Sequence, residues 1–176
     1  MNNSFKMGVL SLLALFTLNS CGELYNFTNR CTSSHVNPDW NALERNLSSA
    51  EALWKSKKPV SDYQYSYSSL AFTGTRKVLV QVSGPSVTAT DSTGKVLSSE
   101  DTRYFGPVEN LFSSLRSSIT GRDSACLTAS VKYNSSMGYP ETFSVADEKE
   151  GLHDAFGGFT ISDFSTLPPT AQPGSP

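Results

Sequence analysis

Histidine is almost missing from the 176-residue chain, which has only His35 and His153. Two histidines and three cysteines without ligand spacing do not make a zinc centre, and no D-x-[DN]-x-[DN]-G loop offers a calcium site. His153-Asp154, close after the run Asp147-Glu148-Lys149-Glu150, reads as a solvated loop, so no metal is expected. No serine sits in a G-x-S-x-G turn. A phosphate loop is lacking too, since Gly157-Gly158 has no Lys-Ser or Lys-Thr after it. Glu109, Glu141 and Asp163 show no diagnostic pairing. The residue set therefore calls for no cofactor and names no catalytic group. Charge is sparse: 17% of residues are charged and the formal net charge is −2. Scattered basic residues on a weakly acidic chain exclude a nucleic-acid footprint. Also missing is any apolar run of the roughly 20 residues that a membrane-crossing helix needs.

What is present begins with a shorter apolar run, Gly8 to Leu18, preceded by Lys6. A cationic start and an apolar stretch of this length are the parts of an export signal. Leu18-Asn19-Ser20-Cys21 resembles the bacterial lipobox, with an aliphatic residue at −3, a small one at −1 and then the cysteine; Asn19 departs from the usual Ala, Ser or Thr at −2. The resemblance implies a lipoprotein signal peptide over residues 1–20 and acyl chains, palmitate among them, on Cys21. Each buried methylene contributes about 0.8 kcal/mol, so two or three chains hold a protein firmly where one does not. By the same resemblance, Gly22 in place of Asp directs the protein to the outer membrane of a bacterial cell envelope, facing the periplasm. The alternative is an ordinary secretory signal cleaved near Ser20, with Cys21 left as a thiol.

With Cys21 acylated, Cys31 and Cys126 remain as a pair in an oxidising compartment, where disulfides persist. A bridge is expected. Its long loop corresponds to about 4–5 kcal/mol in the chain-entropy account. The alternative is two free thiols, one buried and one exposed.

Residues 21–38, rich in Asn, Thr and Ser, read as a tether. Pro38-Asp39 then opens a helix whose Trp40, Leu43, Leu47, Ala50 and Trp54 form one apolar stripe. Ser48 and Glu51 have capping-box spacing, so a restart near Ser48 is expected, with 48–57 the firmest part. Tyr63, Tyr65 and Tyr67 alternate with Gln64, Ser66 and Ser68 in a first strand, and Val78, Val80 and Val82 mark a second. Ser86–Thr90 and Lys95–Ser98 read as a hairpin about Asp91-Ser92-Thr93-Gly94. A second helix follows Gly106-Pro107, with proline first and Val108, Leu111, Phe112, Leu115 and Ile119 on one face; Gly121 stands where a C′ residue belongs. Three more strands carry Leu127 to Tyr133, Phe143 with Val145, and Phe159 with Ile161. The Pro-rich end, residues 166–176, reads as a disordered tail. Residues 39–165 thus form one α+β domain, an antiparallel sheet of about six strands with two helices on one face, in the order α-βββ(β)-α-βββ.

Leu53-Trp54, Tyr63-x-Tyr65-x-Tyr67, Val78-x-Val80-x-Val82, Val108-Glu109-x-Leu111-Phe112, Val131-x-Tyr133 and Gly138-Tyr139-Pro140 follow one another in an order that resembles an uncharacterised family of bacterial lipoproteins, over about residues 47–164. That resemblance implies a fold and a location but no activity. The tyrosines are expected to pack beneath the helices; the sharper alternative is an open aromatic face, a binding face of Tyr63, Tyr65 and Tyr67 for glycan or protein. Three functions remain. The first is a non-enzymatic envelope lipoprotein, held to the membrane by its N-terminal lipid and contacting an envelope protein partner. The second is a periplasmic hydrolase or small-ligand carrier, and the third a purely structural surface protein. Replacing Cys21 by Ala is expected to abolish acyl labelling and release the chain from the membrane fraction; unchanged retention would defeat the anchor.

Overall fold

The computed structural model describes residues 30–59, 62–71, 74–102, 105–120, 126–151 and 155–168. The expected signal peptide, Cys21, His153, Gly121 and the tail from residue 169 lie outside these residues. Helix α1 spans Trp40–Lys57; the Asp39 carboxylate accepts from the Ala42 N–H at 2.8 Å and so caps its first turn. It runs without the expected restart at Ser48. Glu51 does not reach back to Ser48, because Lys55 at 2.8 Å and Arg116 at 2.6 Å draw its carboxylate sideways. Lys55 and Lys57 occupy the last turn and Pro59 stands beyond it.

The strands are β1 (Tyr63–Ala71), β2 (Gly74–Ser83), β3 (Ser86–Asp91), β4 (Leu127–Tyr133), β5 (Pro140–Asp147) and β6 (Phe156–Thr166). They form one antiparallel sheet in the order β3-β2-β1-β6-β5-β4. The α+β class and the six-stranded antiparallel sheet are as expected. The last strand in sequence is central in space: β6 lies between β1 and β5 and joins the meander β1–β3 to the hairpin β4–β5.

Lys95–Ser98 does not become a further strand. Its contacts with β3 are a single bridge, Thr90 to Val96, and one hydrogen bond from the Leu97 N–H to the Ala89 carbonyl. Ser98 then bonds Asp101 at the start of a short helix α2 (Ser99–Thr102) and takes the chain off the sheet edge. The described residues therefore hold three helices where two were expected. The third, α3 (Val108–Ile119), buries all five residues of its apolar face, and Pro107 stands just before it as N-cap.

Helices α1 and α3 cover one face of the sheet. Leu47, Trp54, Leu111 and Leu115 pack there on Tyr65, Val80, Phe159 and Ile161. Two local devices fit the chain to that face. Gly138 has φ +87°, and a Cβ there would stand 2.3 Å from the Ala50 carbonyl oxygen, so only glycine lets the β4–β5 turn lie on α1. In β6, Asp163 adopts φ 55° at a bulge opposite Tyr65. One extra residue reverses the alternation, so that Phe164 joins Phe159 and Ile161 on the helix side. Asp tolerates the left-handed conformation where β-branched residues do not. Asp163→Val should therefore cost about 1–2 kcal/mol in urea unfolding, with Asp163→Gly within about 0.5–1 kcal/mol of the parent. Equal midpoints for the two variants would contradict a bulge held by positive φ.

Candidate functional site

The tyrosine strand comes first, because the sequence singles it out. Tyr63 and Tyr65 are buried and Tyr67 is half-buried, all on the covered face. Tyr63 stacks on Phe164 at 5.3 Å, and Tyr67 stacks on Phe159 at 5.4 Å. No open aromatic face exists at these three residues, so the docking alternative is corrected: the helices occupy that side. The hydroxyls are used inside the fold. Helix α3 has no side-chain cap of its own, and the Val108 N–H donates instead to the Tyr63 hydroxyl at 3.1 Å. The Tyr65 hydroxyl donates to the Gly106 carbonyl. β1 thus fixes the start of α3.

Beside this junction, Lys58, Asp62, Tyr63, Pro107 and Glu109 line a cleft of about 350 Å³. The Lys58 ammonium lies 3.0 Å from the Glu109 carboxylate. Burial alone would raise Glu109. Its own backbone N–H, Lys58 and the Trp54 indole outweigh that and hold it below the usual carboxylate range. The Trp54 N–H faces this carboxylate without reaching full hydrogen-bond geometry. Glu141 is lowered by Lys132 and Asn134. Asp163 is lowered by Ser162 and Ser66. A general acid at neutral pH needs a raised carboxyl; these three are held ionised. A shallower cleft of about 480 Å³ has Val87, Leu97 and Phe105 against Thr88, Thr102 and Asn110. An apolar groove of about 230 Å³ runs between α3 and the sheet beside Tyr67, Leu115, Phe143 and Phe159. Among the described residues, no three His, Cys, Asp or Glu side chains come together as a metal site.

Among the described residues, no helix lies on the other side of the sheet. That side presents Gln64, Ser66 and Ser68 of β1, Thr160 and Ser162 of β6, Thr142 and Ser144 of β5, and Thr128 and Ser130 of β4, matched by the strand register. This face is broad and rich in short hydroxyl-bearing side chains, and Leu70, Lys77, Leu79, Lys132, Ala146 and Phe156 share it.

The third feature is where the chain joins the body. Cys31 and Cys126 form the expected disulfide, with Cα atoms 5.1 Å apart. Around it, Cys31 bridges Lys149, the Thr32 N–H donates to the Glu148 carbonyl, and the Glu150 N–H donates to the Arg30 carbonyl. His35, its side chain buried, places Nδ1 3.0 Å from the Glu148 carboxylate and Nε2 2.9 Å from the Asn37 side-chain oxygen. Residues 31–37, which composition assigned to the tether, are therefore fastened to the body. No sequence signal announces the His35–Glu148 pair, whose members stand 113 residues apart.

The tyrosines also set an alkaline limit. Burial pushes the Tyr63 and Tyr133 phenols up to about 12 and raises Tyr65 and Tyr67 as well. For Tyr63 and Tyr133 the folded value exceeds the unfolded value of about 10, so the stability they contribute is complete below about pH 10 and is lost as pH rises through 12. Spectrophotometric titration should show their ionisation together with unfolding in that window, and Tyr63→Phe should weaken the coupling. Independent titration of every tyrosine near pH 10 would contradict this.

Residues 46–166, from the middle of α1 to the end of β6, match the family of unknown function DUF6174. No curated protein matches the chain. The match covers every strand of the sheet, all of α3 and α1 from Asn46 onward, and it leaves out the fastened segment from Cys31 to Asn37. By that match, the chain belongs to the DUF6174 family.

Proposed function

We propose that this chain is a lipoprotein of the bacterial cell envelope. Acyl chains on Cys21 hold it to the membrane, the outer one by the Gly22 rule, and its folded part is a non-enzymatic binding module for another envelope protein. The observation that carries the binding role is the bare face of the sheet. Six strands present it as a continuous surface, and its short Ser and Thr side chains have few rotamers to lose when a partner covers them. Their hydroxyls both donate and accept, so a partner's polar groups can be satisfied across a flat contact. The fastening around Cys31 supports the anchor, since a chain held at its N-terminus delivers every displacement to the point where it joins the body.

A photo-crosslinking side chain in place of Thr160, at the centre of the bare face, is expected to capture an envelope protein in intact cells. The same group at Ser49, on the solvent side of α1, is expected to capture none. Adducts at Ser49 equal to those at Thr160, or none at either position, would overturn the binding face.

A further inference from the structure

The point where the chain joins the body lies at one end of the sheet. Cys31 bridges Lys149 just past the end of β5, and Cys126 immediately precedes β4. The strand register brings two bare apolar side chains to that same end. Leu70 pairs with Gly158 across β1 and β6, and Phe156 pairs with Ala146 across β6 and β5, next to the Asp147–Leu127 pair that closes the sheet. Phe156 and Gly158 are alternate residues of β6, so Leu70 and Phe156 are diagonal neighbours on the face without helices, close enough for an aromatic side chain to reach across. Gly158, between them, has no side chain to cover either. Leu70 is 52% exposed and Phe156 42%, on a face where Ser, Thr, Gln and Lys predominate and Leu79 of β2, at 36%, is a further exposed apolar side chain away from this end. Val36, 75% exposed, lies in the fastened segment at this end.

We propose that this end of the sheet rests on the bilayer, with Leu70 and Phe156 set into its headgroup boundary. The proposal builds on the anchor at Cys21. Ten residue steps separate Cys21 from Cys31 and span at most about 36 Å when fully extended. The end that receives this segment is therefore the one held nearest the lipid, and it is also the one with bare apolar side chains. Two of its acidic groups are matched: Asp147 lies 3.3 Å from the Lys149 ammonium, and Glu148 is bonded by His35. Partners already in place reduce the electrostatic cost of approaching a headgroup layer. The contact is apolar, so zwitterionic lipid suffices for it. Docked in this way, the strands rise from the membrane and the hydroxyl face looks sideways along it.

The full acylated chain, reconstituted in zwitterionic vesicles with brominated acyl chains, tests this. One variant carries Phe156→Trp. The other carries Ser86→Trp, at the opposite end of the sheet beside the Ser83–Ser86 pair. The native Trp40 and Trp54 give both variants the same background. The expected result is loss of the added emission at position 156 and retention at position 86. The mass of the processed N-terminus, read on the same sample, reports the anchor separately. An acylated sample in which position 156 is quenched no more than position 86 overturns the docking and leaves the anchor standing. An unacylated N-terminus overturns the anchor, and equal quenching in that sample overturns the docking as well. Pairing of two copies through this corner would appear as protection of position 156 without bromolipid quenching, which also overturns the proposal.

Discussion

The fold depends on a knot of four aromatic rings. Trp54 of α1 meets Tyr63 of β1, Tyr139 of the β4–β5 turn and Phe164 of β6 edge-on, at 5.7, 6.3 and 5.9 Å. Phe164 is stacked between the other two, 5.3 Å from Tyr63 and 4.7 Å from Tyr139. Each such pair contributes about 0.5–1.5 kcal/mol beyond its buried area. The position matters more than the sum. One helix, the first strand, the last strand and a turn from the second half meet at a single indole, so register errors in any of them are felt by all. The Asp163 bulge and the bare backbone of Gly138 are the local conditions for the knot, since the first turns Phe164 inward and the second lets Tyr139 approach.

Much of this was legible in the sequence because it is periodic. Alternating tyrosines placed β1, alternating valines placed β2, and the five apolar residues of α3 matched its buried face. What was not legible is non-local or concerns a single residue. Nothing in the alternation of β6 reveals that it inserts between β1 and β5, because any half-buried strand reads alike. The reversal at Asp163 is invisible for the same reason. The strand expected at Lys95–Ser98 was lost to Ser98, a small cap whose pull the pattern did not weigh. Of the candidate site residues, the Cys31–Cys126 bridge was expected from the cysteine count together with an assumed oxidising compartment, whereas His35 passed as a tether residue because its partner is far along the chain. The tyrosines were correctly placed as strand residues, but the capping role of the Tyr63 hydroxyl depends on α3 arriving from elsewhere.

The two sides of the sheet divide the work. One side is spent on stability: rings, aliphatic side chains and the ends of two helices. The other has little apolar area apart from Leu79 and its corner at Leu70 and Phe156, and it owes the fold mainly its backbone hydrogen bonds. Substitutions among its serines and threonines are therefore tolerated by the core, which leaves that face free to be shaped by whatever it meets. The fastened N-terminal segment lies outside the stretch shared with the DUF6174 family. Joining the shared body to its surroundings is in that sense a separate arrangement from building it.

The central place of β6 carries a consequence for timing. Until Thr166 has emerged, β1 and β5 each have one edge unsatisfied and the two halves of the sheet have no common neighbour. Pairing across so many residues is slow, and it waits for β6. Here the keystone is the last of the six strands to be made, so the sequence order itself keeps the two halves apart until the piece that locks them is present.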